Sequence, residues 1–216
     1  YRYPSSEMRY TGGNVARAFD FRGAFDITLN QVRLSYTNAA FAGILCDFGD
    51  DVTNDSSYIN LEGVAFTGTT TAYLASSLLR LNRTNTITIN RCRFEYGQMG
   101  IRGADDASGY SYAVGIQNRC VFSDVGVAIW NPGASWNIDG NIFEAIFRVG
   151  GLGGSYRQGD LRMLGGASTH AMDNFTFIGN WCGDSAASAS TYYALDLQGA
   201  RGATIANNFI QAAANL

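Results

Sequence analysis

The sequence predicts an all-β protein wound as one coil of stacked strands, and three observations point there. Residues 18–34 (AFDFRGAFDITLNQVRL), 78–94 (LLRLNRTNTITINRCRF) and 194–210 (ALDLQGARGATIANNFI) align with one another without a gap. Within each stretch apolar residues recur at alternate positions, the signature of a strand, and no segment of the chain sustains a helical period. One short pattern, apolar-x-apolar-x-x-(Asn/Cys/Val)-x-apolar, returns along the whole length. A unit this small cannot bury its own apolar face and needs copies of itself above and below.

Taken in order, a unit opens with a short strand, bends near Gly23, Arg83 or Gly199, and continues through two further strands that carry the pattern. The pattern reads Ile27-Leu29-Val32-Leu34, Ile59-Leu61-Val64-Phe66 and Ile87-Ile89-Cys92-Phe94. It returns as Trp136-Ile138-Asn141-Phe143, Phe175-Phe177-Asn180-Cys182 and Ala203-Ile205-Asn208-Ile210. Another copy, Val114-Ile116 leading to Cys120-Phe122, holds one residue too many and predicts a bulge. The closing anchors at positions 34, 66, 94, 122, 143, 182 and 210 are unevenly spaced, as in a coil with loops of variable length. The longest insertion, residues 150–170, is Gly-rich and polar; it predicts a loop standing off the stack, with Leu161-Met163 returning to it. These copies predict about seven to eight rungs in one domain, residues 1–216. The opening YRYPSSEMRYTGG lacks the charged and apolar regions of a signal peptide and reads as strand and turn, as in a segment of a longer polypeptide.

Composition narrows the chemistry. Apolar residues make up 46% and charged residues 15%, so much of the surface consists of Gly, Ser, Thr, Asn and Gln. A net charge of −3 argues against nucleic acid as a partner, and no run of apolar residues is long enough for membrane insertion. All fifteen basic residues are Arg, which excludes lysine bases and Schiff bases and leaves planar forks for anion recognition. The one histidine, His170, excludes a multi-histidine metal site. Cys46, Cys92, Cys120 and Cys182 form no CxxC pair; Cys120 is expected to stack on Cys92, and all four read as small buried hydrophobes, with a Cys92–Cys120 disulfide as the alternative.

The rung Trp136-Asn-Ile-Asp-Gly-Asn141-Ile-Phe143 resembles the single-stranded, right-handed parallel β-helix of the pectate-lyase-like superfamily, over nearly the whole chain. In that resemblance Asn141, Asn180 and Asn208 stack in a ladder at a tight turn, where asparagine tolerates a left-handed backbone and bonds to the next rung. The opening Glu7-Met-Arg-Tyr-Thr-Gly12 followed by Ala18-Phe-Asp-Phe-Arg-Gly23 resembles early rungs of bacteriophage tailspikes. The superfamily's lyase, polygalacturonase and epimerase motifs are not recognisable. The resemblance implies a virion tail appendage, a homotrimer, that recognises and in some cases depolymerises a bacterial surface polysaccharide. A secreted polysaccharide lyase or glycoside hydrolase and a non-catalytic virion or adhesin module are the alternatives.

Rungs about 4.8 Å apart turn sequence spacing into a ruler. Glu95 directly follows Phe94, Asp124 lies just past Phe122, and Glu144 follows Phe143. They are therefore expected as a carboxylate column at one corner, the candidate catalytic group, with Arg93, Arg119 and Arg148 near enough to offset the repulsion. Solvated acids fanning from a corner are the alternative. Asp20, Arg80, Ala128 and Asp196 are expected outward on the first strand of the unit, with Trp130 nearby. Arg80, Arg102, Trp130, Arg148 and Tyr156 form the candidate saccharide-binding set, since charged groups bond hydroxyls and an indole stacks on a pyranose; a subunit interface fits the same residues. No cofactor is called for. Asp47, Asp50, Asp51 and Asp55, with Asp105 and Asp106, are a possible calcium-holding group, with solvated loop acids as the alternative.

Overall fold

The computed structural model describes residues 4–49, 55–69, 76–103, 111–130, 132–144, 161–164, 172–183, 195–198 and 200–211. Every strand pairing among them is parallel, and no helix occurs there. The chain is a parallel β-solenoid of about five turns, fewer than the seven to eight predicted. Beyond Glu144, Leu161–Leu164, Thr176–Ile178 and Trp181–Gly183 extend the three ladders in turn, and Leu195–Gln198, Thr204–Ala206 and Phe209–Ile210 extend them again.

Three faces recur at each turn. The first carries Arg17–Asp20, Ile44–Asp47 and Ser77–Arg80; the second carries Phe25–Asn30, Ser56–Glu62, Thr84–Asn90 and Ser111–Gln117. The third begins with Ser6–Tyr10, Val32–Tyr36 and Ala65–Thr67. Two long strands, Arg93–Arg102 and Val121–Trp130, run through the corner joining the third face to the first. Leu161–Leu164 does return to the stack, pairing Arg162 with Trp130.

The predicted anchors fall in one column: Leu34 pairs with Phe66, Phe66 with Phe94, Phe94 with Phe122, Phe122 with Phe143, and then Cys182 and Ile210 follow. Four of these rings stack almost flat at centroid spacings of 4.9, 4.7 and 4.9 Å. The rise between strands matches the offset-stacking distance of aromatic rings, so a phenylalanine at every turn packs without a void. Trp136 is fully buried as expected, and its indole donates to the Ser111 carbonyl at 2.9 Å. Ala128, expected outward, is buried in the core.

The corners are columns of left-handed backbone. One comprises Asp26, Tyr58, Thr86, Ala113, Ser135, Asn174 and Gly202; another comprises Gln31, Gly63, Arg91, Arg119, Gly140, Gly179 and Asn207. The asparagine ladder lies one residue after the second column, so the left-handed residue is not the asparagine itself, contrary to expectation. The ladder is built by hydrogen bonds. The Cys120, Asn141 and Asn180 N–H groups donate to the side-chain oxygens of Asn141, Asn180 and Asn208 at 3.0, 2.9 and 2.9 Å. Each asparagine Nδ2 in turn donates to a carbonyl one turn back, of Ile116, Ile138 or Phe177.

Two cysteines continue this ladder chemically. The Cys92 N–H donates to Cys120 Sγ at 3.3 Å, and the two thiols donate to the Leu61 and Ile89 carbonyls at 3.4 Å. A thiol thus does in two turns what an amide does in the next three. All four cysteines are free and buried, and burial pushes the Cys46 and Cys92 thiols up, so both stay neutral. The extra residue near Cys120 is absorbed at the corner, where both Asn118 and Arg119 are left-handed, rather than as a bulge within a strand.

Replacing Asn180 by Ala leaves the buried Asn141 N–H without its acceptor, and costs about 2 kcal/mol in denaturant unfolding. Cys92→Asn with Cys120→Asn extends the amide ladder and leaves stability within about 1 kcal/mol of the parent in the same measurement.

Candidate functional site

The side chains singled out from the sequence gather on two stretches of outer surface, and the strand Arg93–Arg102 carries part of each. The first is the corner between the third and first faces. Tyr96 and Asp124 adopt left-handed backbone there, with φ of 62° and 54°. The register pairs Glu95 with Ser123 and Ser123 with Glu144. Glu95 and Glu144 therefore share a column two turns apart, about 9.6 Å along the axis, while Asp124 stands one residue on, level with Tyr96. The three carboxylates do not form the single column expected of them, because the corner puts a serine where the acid was counted.

Glu95 is almost fully buried. Its Oε1 accepts from Arg93 Nε at 2.8 Å and also from Arg93 Nη2. Of the three arginines expected beside the carboxylates, only Arg93 is placed there. Arg119 occupies the other corner of the third face, and Arg148 lies outside the described residues. Thr67, paired with Glu95 across the ladder, buries its hydroxyl without a hydrogen-bond partner among the described residues. Gly68 lies one residue further along. A Cβ there would sit 1.8 Å from the Tyr96 carbonyl oxygen, so only glycine lets the two turns close on each other.

Tyr96 completes this corner. Burial raises its phenol above the ordinary tyrosine range, the Asp124 and Glu95 carboxylates raise it further, and Arg93 offsets part of the rise. The corner thus presents a protonated hydroxyl beside two carboxylates and a guanidinium. That set supplies a hydrogen-bond donor, hydrogen-bond acceptors and a fixed positive charge, groups that can bond sugar hydroxyls, with the carboxylates left as the acid–base candidates.

The second stretch is one continuous column at the end of the first face. Its register runs Asp20, Asp47, Arg80, Arg102, Trp130, Arg162 and Asp196. Asp47 is fully buried and accepts from Arg17 Nε at 2.5 Å, Arg80 Nε at 2.9 Å and the Gly49 N–H at 2.9 Å. Arg80 also donates to the Gly49 carbonyl at 2.9 Å and is itself 5% exposed. Arg80 therefore holds the fold rather than facing a saccharide, and Asp47 is committed to arginines rather than to calcium. Asp55 faces Arg83 at 3.5 Å. Asp50, Asp51, Asp105 and Asp106 lie outside the described residues, as do Tyr156 and His170, and no group of three metal-binding side chains occurs among the described residues. Arg102 and Trp130, both partly exposed, sit on consecutive turns of this column.

Compared with protein families, curated proteins and solved structures, the chain has no match. What stands is the parallel β-solenoid itself, with its asparagine ladder.

Two measurements check this geometry. Asp47→Asn strips a buried ion pair of its anion and lowers unfolding stability by about 3–5 kcal/mol. In a spectrophotometric titration, Tyr96→Phe removes a phenol that ionises above the ordinary tyrosine range, and Asp124→Asn brings that phenol back toward it.

Proposed function

We propose that the coil is a receptor-recognition β-helix of the bacteriophage tailspike type, binding a bacterial surface polysaccharide along its outer columns. The observation that carries this reading is the placement of Arg102 and Trp130 on consecutive turns of one column, both partly exposed. An indole takes the apolar face of a pyranose, and a guanidinium beside it bonds hydroxyls or carboxylates of the next sugar. Rungs at a constant rise present such groups at regular intervals, which suits a polymer of repeating units better than a small ligand. The same proposal sets the protein on the virion as a homotrimer.

Cleavage of the bound polysaccharide is the second part of the reading, and the corner of Glu95, Tyr96, Asp124 and Glu144 favours it. The separation of Glu95 and Glu144 approaches the wider carboxylate spacing of inverting glycosidases, about 6.5–9.5 Å, which leaves room for a water. A secreted hydrolase or lyase would use the same corner as a monomer.

The test begins with light scattering on the purified chain, where a mass of three copies is expected. Affinity electrophoresis through gels containing capsular and O-antigen polysaccharides then reads binding. At least one polysaccharide retards the protein, and Trp130→Ala and Arg102→Gln each weaken that retardation about tenfold. Glu95→Gln and Glu144→Gln abolish release of oligosaccharides while binding persists. A chain that no polysaccharide retards overturns the reading; retained cleavage in both glutamine variants overturns the catalytic assignment.

A further inference from the structure

On the second face, across the corner from the arginine and tryptophan column, three large aromatic side chains stand in solvent. Phe25 is 66% exposed, Tyr58 55% and Tyr112 42%. Phe25 and Tyr58, on the first two turns, meet edge to face with ring centroids 5.1 Å apart. Tyr112 lies two turns beyond Tyr58, about 9.6 Å further along the axis. The register groups these residues in two adjacent columns: Phe25, Ser57, Asn85 and Tyr112 in one, Asp26, Tyr58, Thr86 and Ala113 in the other.

Composition decides what such a strip takes. Over these four turns, and apart from the rings and Ala113, the two columns hold only hydroxyl, amide and carboxylate side chains; the first cation along them is Arg201, three turns beyond Tyr112. The core of a protein interface is enriched in aromatics, methionine and arginine and depleted of aspartate, serine and alanine, three residues that these columns contain. A saccharide needs the mixture found here: flat rings to cover the C–H face of a sugar, with acceptors and donors at their margin for its hydroxyls. Asn85 and Thr86 are pre-set for this, since Thr86 Oγ1 donates to Asn85 Oδ1 at 2.7 Å and leaves the amide hydrogens at the margin. The left-handed backbone at Tyr58 and Ala113 turns the chain sharply at this corner.

We infer that Phe25, Tyr58 and Tyr112 form a sugar-stacking strip for an uncharged stretch of polysaccharide, separate from the Arg102 and Trp130 column. The inference rests on the polysaccharide reading above. With Arg102 on one column and no cation on these four turns of the other, the ligand is a heteropolymer whose charged and neutral units meet different columns.

The test uses the same gels, with capsular and O-antigen polysaccharides as probes, on Tyr58→Ala, Tyr112→Ala and Tyr58→Phe. Both alanine variants are expected to lose about tenfold in retardation by the polysaccharide that binds the parent, while Tyr58→Phe, which keeps the ring, stays within about twofold. These side chains are exposed, and unchanged melting temperatures show that the variants are folded. Alanine variants that bind like the parent while Trp130→Ala does not would overturn the strip and leave the wider reading standing. Alanine variants that alter the mass in light scattering would overturn it in favour of a subunit contact. A parent that binds no polysaccharide would overturn both.

Discussion

Registration of each turn on the one below is the constraint from which the rest of this structure follows. A coil of strands has no sequence-distant crossing to lock it, so slippage by one residue would turn every inward side chain outward. Two devices prevent that slip. Flat stacking of Phe66, Phe94, Phe122 and Phe143 fills the shaft, and the ladder from Cys92 to Asn208 ties main-chain N–H groups to side-chain acceptors at a corner buried from water. The stack is permissive toward size, but the ladder is specific, because each member must both accept and donate at the right height. That two thiols serve in the ladder shows the requirement to be one of hydrogen-bond capacity at a given volume rather than of asparagine as such.

The outer columns inherit this registration. Asp20 to Asp196 form one line only because the inward positions beside them repeat without error. Within that line burial separates structure from surface. Asp47, Arg17 and Arg80 are drawn into a charge cluster, and Gly49 adds a backbone bond to both Asp47 and Arg80. Arg102 and Trp130, one and two turns beyond, keep a face to solvent. A column that looks uniform in register is thus divided into an anchor and a contact surface.

The inward columns were legible in the sequence and the outer ones only in part, for a physical reason. A position facing the shaft must be apolar at every turn, so Leu34, Phe66, Phe94, Phe122 and Phe143 announced themselves by repetition. Corners impose no such uniformity. Gln31, Arg91 and Arg119 take the same left-handed backbone as Gly63 and Gly140, so residue identity did not locate that backbone, and it was assigned to the asparagine one place along. One residue of ambiguity at a corner also sufficed to set Asp124 in line with Glu95. Arg80 was read as exposed because charged side chains seldom go under, and its partner Asp47 lies a whole turn away in the chain. Phe25 and Tyr58 were passed over because aromatic residues in strands are ordinarily core.

The strand Arg93–Arg102 passes unbroken from the carboxylate corner to the arginine and tryptophan column, with Val121–Trp130 paired alongside it. Seven residues that bend at the left-handed Tyr96 set the two surfaces less than roughly 23 Å apart, and hydrogen bonding to the neighbouring turns keeps that interval from stretching or shrinking. Any molecule that engages both ends must bring its own length to match. Fragments shorter than the gap occupy one end or the other, so the body of the coil acts as a gauge for chain length.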